Sequence, residues 1–406
     1  MTVEERTMLP ITDARPESMK TILYFYVGFH QKSGLPRYDP FEYRFLDVLC
    51  KKYRVVVAVF TRGERSRVIE RLAPENAEIV FIRDLPVVNR LPPMIVWPVQ
   101  TIVRILQIAL LVRIVRPDMV HANWITRSSG FYCAVVNFHP FLATAWGTDI
   151  LIEANESRIL RAFARFTLRV ADAVIVDSEV QRKAALELGC NPSKIVSFPW
   201  GIELDKFKPE KDTAMREELG WSRERIIVST RMHYPVYGIE YLLRAISPIL
   251  VKAKDARFLI IGDGPLLEHH RELAKELGIE DQVRFLGLVP NDMMPRALNS
   301  ADIYVTTSFS DGTSASLLEA MACGLPVVAS KIPANEEWVK PGENGFLVSP
   351  GDSMKLAECI VSVLRNDQLR LRMSAQSLRI AAERADWKKN SMLFEKCVSD
   401  LLRSCT

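Results

Sequence analysis

The chain has little of what marks a secreted domain, a metalloprotein or a nucleic-acid binder. Seven cysteines, at positions 50, 133, 190, 323, 359, 397 and 405, are scattered and no C-x-x-C pair occurs. This excludes a tight disulfide framework or a zinc site and points to reduced thiols in a cytosolic protein. Charge of one sign is also missing: 53 Lys and Arg against 49 Asp and Glu leave a net charge of +4. With no long basic run, no zinc-finger spacing and no RNP-like aromatic signature, nucleic acid is not an expected partner. Gly28 and Gly34 do not supply a Gly-x-Gly-x-x-Gly turn after the first strand, which discounts a dinucleotide-dependent oxidoreductase. Glu4, Glu5 and Asp13 precede Lys20 where a secretory leader would be basic and then apolar, so residues 1–19 read as a loose extension.

Long hydrophobic runs are scarce as well, with one exception. Met94 to Val112 is mostly apolar but contains Pro98, Gln100, Arg104 and Gln107. A central charge costs about 3 kcal/mol on membrane-insertion scales, so the run is not expected to span a bilayer. It reads as a buried helix of an α/β domain. The alternative is a face lying on a membrane, supported by Arg62, Arg65, Arg67 and Arg71 and by Lys51, Lys52 and Arg54 if they share its surface.

What the chain does have is length and alternation. At 406 residues, 48% hydrophobic and 25% charged, it suits two domains of about 200 residues each. β-rich runs at Lys20–Val27, Arg54–Phe60, Glu78–Ile82, Asp118–His121, Leu142–Ala145, Ala173–Val176 and Lys194–Ser197 alternate with helical patterns, among them Arg65–Leu72 and Met94–Val115. A second series follows at Ile226–Thr230, Arg257–Gly262, Val283–Leu286, Asp302–Thr306, Pro326–Ala329 and Phe346–Val348. Continuous apolar strands between helices predict parallel sheets covered on both faces, hence two doubly wound domains. The boundaries expected are 20–205 and 206–384, broken at the polar Lys206-Phe207-Lys208-Pro209-Glu210-Lys211. A terminal helix over 385–406 could return to the first domain. Ligands of open α/β sheets bind beyond the strand C-termini, and the cleft between two facing domains is the default site.

The most informative stretch runs from Ser308 to Val328. A strand leads into a small-residue loop, the loop opens a helix, and the helix stops at Gly324. Asp311 and Glu319 bracket the helix start. Such a start offers bare N–H groups and the positive end of a dipole, which suits a phosphate, while the two acids could hold polyol hydroxyls. A diphosphate flanked by hydroxyls describes a nucleotide sugar. The same residues also fit plainer readings, a capping box at Ser316-Leu317-Leu318-Glu319 and an ordinary turn at Asp311-Gly312. Two further loops follow strands of the same half: Arg231 with Tyr237-Gly238, and Gly262-Asp263-Gly264-Pro265. An arginine fork, a glycine turn and a helix N-terminus at one sheet edge make a diphosphate cradle.

These residues resemble the retaining glycosyltransferases of group 1, or family 4, which have the GT-B fold. The second half carries most of the likeness: Arg231 with Gly238, Gly262 to Pro265, Phe285-Leu-Gly287, Ser300-Ala-Asp302, Leu318 to Val328 and Gly342-Glu-Asn-Gly345. The first half matches more weakly, through Arg116 to Trp124, Trp146-Gly-Thr-Asp149, Val176 to Glu179 and Gly201 to Phe207. The resemblance implies that Arg231, Asp311 and Glu319 are the catalytic group. Arg231 binds the donor diphosphate, Asp311 the transferred sugar and Glu319 the ribose. It places the donor against Tyr237, Gly262, Asp263, Gly264, Val289, Gly312, Thr313, Ser314, Ser316, Leu317 and Leu318. It implies a hexose-type sugar, no cofactor beyond the nucleotide sugar, UDP favoured, and a glycan, lipid-linked or small-molecule acceptor. His121, Trp124, Trp146 and Asp149 fall on the acceptor side, although His121 also suits a packed core and the tryptophans suit walls. No Asp-x-Asp occurs, so a metal-bridged diphosphate is not expected. Three positions depart from the family: Asp311 for the usual Glu, Tyr237 for a basic residue, and Trp146 for a His. A nucleotide-sugar epimerase on the same fold and a non-catalytic nucleotide-sugar-binding subunit stay open as alternatives.

Overall fold

The computed structural model describes residues 19–26, 40–61, 73–83, 92–126, 129–210 and 213–404. The helix expected at Arg65–Leu72, the arginines 62, 65, 67 and 71, Gly28, Gly34 and all but the last residue of the 1–19 extension lie outside them. The chain divides into two compact units, Met1–Phe198 with Ser391–Thr406, and Pro199–Asn390.

In the first unit the strands are β1 (Thr21–Tyr26), β2 (Arg54–Thr61), β3 (Glu78–Arg83), β4 (Met119–Asn123), β5 (Phe141–Thr144), β6 (Ala173–Val176) and β7 (Ile195–Ser197). They form one sheet in the order β3-β2-β1-β4-β5-β6-β7, with every pairing parallel. Its longer helices are α1 (Pro40–Cys50), α2 (Pro93–Val115), α3 (Ser129–Val136), α4 (Arg158–Val170) and α5 (Glu179–Glu187). All six residues of β1 are buried, as expected of a central parallel strand covered on both faces.

The second unit repeats the plan. Strands β8 (Arg225–Ser229), β9 (Ala256–Ile261), β10 (Val283–Gly287), β11 (Ile303–Thr306), β12 (Val327–Ser330) and β13 (Gly345–Val348) take the order β10-β9-β8-β11-β12-β13. The helices are α6 (Thr213–Leu219), α7 (Ile239–Lys252), α8 (Leu267–Glu276), α9 (Met294–Asn299), α10 (Ala315–Ala322), α11 (Pro333–Glu336), α12 (Ser353–Leu364), α13 (Asp367–Arg384) and α14 (Trp387–Arg403). The period-2 alternation of a strand is visible in β8. Ile227 packs with Leu242, Leu243 and Ile246 of α7, while Ile226 and Val228 pack on the other face with Leu317, Leu318 and Met321 of α10. The strand order reverses between β1 and β4 and again between β8 and β11, the switch points at which open α/β sheets hold ligands.

From Ser391 onward α14 belongs to the first unit. Phe394 is fully buried there and meets the Phe45 ring edge-on at 4.6 Å. Lys52 pairs with Glu395, and Lys20 Nζ donates to the Leu402 carbonyl.

The helix α2 corrects one expectation. It is not a buried helix: Ile108, Leu111 and Val115 enter the core, but Ile95, Trp97, Ile102, Leu106, Leu110 and Ile114 are exposed. The run is apolar on all sides, so its periodicity could not reveal which face is covered. The basic residues expected beside it are engaged in ion pairs, Lys51 with Asp47, Lys52 with Glu395 and Arg54 with Glu78.

Candidate functional site

The loops after β8 and β11, on the two sides of the second unit's switch point, bring Arg231 and the Asp311 segment together. Arg231 Nη1 donates to Ser314 Oγ at 2.7 Å and to Ser316 Oγ at 3.0 Å, and Nη2 donates to Asp311 Oδ2 at 2.5 Å. The Tyr237 ring covers the guanidinium at 4.2 Å, a cation–π contact. Burial works against charge on Arg231, but Asp311, Tyr237 and Tyr304 outweigh it and hold the guanidinium more firmly protonated than usual. Burial pushes the Asp311 carboxyl up, and Arg231 opposes that shift. Arg231 Nε is buried without a hydrogen-bond partner. A buried, charged donor left unmet is costly, and an anion would meet it.

The loops hold each other in this arrangement. Phe309 N donates to the Val236 carbonyl at 2.8 Å, and Thr307 Oγ1 to the Tyr237 carbonyl at 2.9 Å. Gly238, at φ 56, sits where a Cβ would lie 2.7 Å from the Thr307 carbonyl oxygen, so only glycine closes this turn. The Gly262-Asp263-Gly264 turn works in the same way. A Cβ at Gly262 would lie 2.3 Å from the Arg231 carbonyl oxygen, and one at Gly264 would lie 2.6 Å from that of His233. The backbone that these glycines admit is therefore that of the Arg231 loop. His233 N donates to the Asp263 carbonyl at 2.9 Å, and Leu266 N to the His233 carbonyl at 3.1 Å. The Asp263 carboxylate accepts from Gly264 N at 2.7 Å. His233 Nδ1 lies 2.7 Å from His270 Nδ1 on α8, and burial pushes both imidazoles down to about 4.

The helix start differs from a capping box at Ser316. The N-cap of α10 is Ser314, whose hydroxyl accepts from Leu317 N, so Glu319 lies in the helix rather than at the third helical position. Ser316 and Glu319, three residues apart, share one side of α10. Gly312, Thr313, Ser314, Leu317 and Leu318 are buried around the helix start. Val289, after β10, packs against the core on the α10 face of the sheet. One contributor escaped the sequence reading: Tyr304 of β11, fully buried, donates its hydroxyl to Ser316 Oγ at 2.9 Å. A tyrosine in a short buried strand, directly before a serine-rich loop, is the signal that could have found it.

In the first unit the acceptor-side candidates separate into two kinds. His121 and Asp149 are buried, and His121 Nδ1, like Arg231 Nε, has no hydrogen-bond partner. His121 Nε2 bonds Thr144 Oγ1 at 2.8 Å, its ring meets Tyr24 edge-on at 4.8 Å, and burial pushes it down to about 3. Asp149 accepts from the backbone N–H groups of Ile125, Trp146 and Ile150 at 2.7, 3.0 and 2.9 Å. Burial pushes its carboxyl up to about 6 against those three hydrogen bonds. Trp124 and Trp146 are only partly buried. Trp124 Nε1 donates to Glu153 Oε2 at 3.0 Å and Trp146 Nε1 to Asn123 Oδ1 at 3.2 Å. Glu153, which also accepts from Thr126, was not singled out from sequence. It lies on a π-helical turn, Thr148–Glu153, that periodicity does not announce.

The chain is similar to known glycosyltransferases. The chain is 27% identical to N-acetyl-alpha-D-glucosaminyl L-malate synthase of Bacillus anthracis over 64% of its own length and 68% of that protein. It is 33% identical to phosphatidyl-myo-inositol mannosyltransferase of Mycobacterium leprae over 52% of its own length and 55% of that protein. The chain thus spans between about half and two thirds of the curated relatives it matches. HepE of Anabaena, solved in complex with UDP, superposes with a TM-score of 0.75 at 22% identity, covering 94% of this chain and 100% of that one. Sucrose-phosphate synthase of Thermosynechococcus elongatus gives 0.78 at 20% identity, covering 95% and 100%. Residues 223–366 match the family model for glycosyl transferases group 1, and residues 51–178 that for glycosyl transferase 4-like domains. With its two parallel sheets and these matches in both units, the chain belongs to the group 1 glycosyltransferases and has the GT-B fold.

Proposed function

We propose that this protein transfers a hexose-type sugar from a nucleoside-diphosphate sugar to an acceptor hydroxyl, with retention at the anomeric carbon and without a metal ion. The observation that carries this is Arg231: a buried, permanently charged fork at the start of α10 with an unmet Nε–H. The bond from the anomeric carbon to the diphosphate breaks and negative charge builds on the leaving phosphate. Arg231 and the N–H groups at the start of α10 stabilise that charge, which is the larger part of the catalysis expected here. The new bond forms to the acceptor oxygen on the same face, and the acceptor's proton passes to the leaving phosphate. Asp311 orients the sugar and Glu319 the ribose. Arg231 has enough donors to bind a phosphate while it keeps Asp311 in place.

UDP is the favoured nucleotide, in keeping with the UDP held by HepE. The acceptor is a glycan, a lipid-linked sugar or a small molecule, and the phosphatidyl-myo-inositol mannosyltransferase relative favours the lipid-linked class. The reaction is placed in the cytoplasm. Tyr237, stacked on Arg231 where the family has a basic residue, and Trp146, where the family has a His, favour a second reading, a subunit that binds nucleotide sugars without transfer.

The test is thermal unfolding of the purified chain with UDP, GDP, ADP and their sugar conjugates, with and without EDTA. A ligand at 100 times its dissociation constant stabilises by about 2.7 kcal/mol. A shift with one nucleotide, unchanged by EDTA and lost in Arg231→Ala, supports the proposal. No shift with any of them sinks it, and a shift without donor turnover selects the binding subunit.

A further inference from the structure

Tyr304 puts a hydroxyl where the fold asks for none. It lies on β11 between Ile303 and Val305 and pairs with Val228 of β8 and Val327 of β12. It is fully buried, in the apolar cluster that holds Leu317 and Met321 of α10. A phenol hydroxyl in such a place is costly unless it is hydrogen-bonded. Its partner is Ser316 Oγ, to which it donates at 2.9 Å. Burial pushes the phenol up, with Arg231 opposing the shift, so the group keeps its proton and goes on donating.

The hydrogen bonds around Ser316 leave its own hydroxyl one role. A serine oxygen has two lone pairs and one hydrogen. Arg231 Nη1 fills one lone pair at 3.0 Å, and Tyr304 fills the other. Ser314 Oγ stands 3.3 Å away, but it is already occupied as an acceptor. It accepts from Arg231 Nη1 at 2.7 Å and, as the N-cap of α10, from Leu317 N. Ser314 can give its own hydrogen to Asp311. The Ser316 hydrogen is thus left to point away from Arg231, Tyr304 and Ser314. Ser316 is partly exposed, as a group that meets a ligand must be.

We propose that Tyr304 is a positioning residue for the donor diphosphate, filling the second lone pair of Ser316 and so turning the Ser316 O–H outward as a ready donor beside Arg231. The inference rests on the donor site proposed above. The hydroxyl is set before the ligand arrives, so no rotor has to be ordered when phosphate binds. Without the Tyr304 hydroxyl the Ser316 hydrogen is free to turn inward, and an oxygen lone pair would then face the phosphate. Buried behind Ser316, Tyr304 acts through it.

The test is calorimetric titration of the full chain with UDP and with UMP, which lacks the distal phosphate. GDP with GMP, or ADP with AMP, replaces them if the unfolding screen selects another base. S316A is expected to bind UDP roughly tenfold more weakly, the scale of one hydrogen bond to a charged group, and Y304F about three- to tenfold more weakly. Both variants should bind UMP within about twofold of wild type, since the lost donor serves the distal phosphate. Y304F/S316A should bind UDP no more weakly than S316A, because the two side chains act as one unit. S316T, which keeps the hydroxyl, should bind as the wild type does. Y304F retains the buried ring, and unchanged circular dichroism shows that the variants are folded. A drop in unfolding temperature with UDP affinity intact would make the Tyr304 hydroxyl merely structural and overturn the inference. Additive losses in the double variant, or UMP weakened as much as UDP, overturn it equally. A wild-type chain that binds none of these nucleotides sinks the donor-site reading itself and the inference with it, whereas wild-type binding of UDP matched by Y304F sinks the inference alone.

Discussion

The two units share a strand order but use their buried acids in opposite ways. Asp149, after β5, is held by three backbone N–H groups. Asp311, after β11, lies against the buried Arg231 guanidinium, which also donates to two serine hydroxyls. The first arrangement is closed, since its donors and acceptor satisfy each other and the segments 123–126 and 144–153 are knit together. The second keeps an unmet donor, Arg231 Nε, in a buried place. The contrast lies between the two acids: the partners of Asp149 are complete, while the cation beside Asp311 keeps a donor to spare.

Four substitutions break or sharpen that contrast. The largest effect is expected from Asp149→Ala, which strands three buried N–H groups at about 1–3 kcal/mol each before relaxation. Urea unfolding should show a loss of roughly 3–5 kcal/mol, and a loss under about 1 kcal/mol would mean that Asp149 is not structural. Arg231→Ala should invert the pattern, with turnover down ~100-fold or more and a smaller change in unfolding. Steady-state kinetics against the acceptor that proves competent decides it. Gly264→Ala comes next. Its Cβ has no room beside the His233 carbonyl, so the Arg231 loop must shift, at about 1–3 kcal/mol. Calorimetric titration with UDP should show affinity roughly tenfold lower, and unchanged affinity would uncouple the glycine turn from the site.

A further effect is a pH dependence of opposite sign at two buried groups. Asp149 titrates near 6 when folded, above its unfolded value of about 4. The folded state therefore binds more protons in that window, and Asp149's contribution to stability falls as pH rises from about 4 to 6. His121 is pushed down to about 3 from about 6.5 unfolded. Its contribution is present above pH 6.5 and is lost as pH falls toward 3. The two slopes oppose each other where they overlap. Unfolding free energies of wild type and His121→Asn across pH 4–7 should diverge toward acid, the variant losing less. Parallel curves would show that His121 is not held neutral.

Thirteen strands were legible because parallel strands covered on both faces must be continuously apolar, and each run is short and bounded by turn residues. The meeting of Arg231 with the Asp311 segment was legible because strand ends at a switch point converge whatever the side chains. The cap of α10 was not, because Ser314 and Ser316 are both good caps and the loop's path chooses between them. His121 was open to two readings, a packed core histidine or an acceptor-side residue, and Asp149 was expected on the acceptor side. What enclosed them came from remote parts of the chain, Phe394 on α14 for His121 and the backbone of Ile125 for Asp149. The outer face of α2 was hidden for the converse reason, since a helix apolar on every side carries no mark of which side is covered.

Local pattern thus settled element type, sheet class and the residues at each strand end, since these depend on periodicity and turn chemistry within a few residues. Burial was settled by tertiary structure alone. Desolvation depends on everything within a few ångströms, however distant in the chain. It enclosed one aspartate among backbone N–H groups, left one arginine with a donor to spare and exposed one row of leucines and isoleucines to solvent.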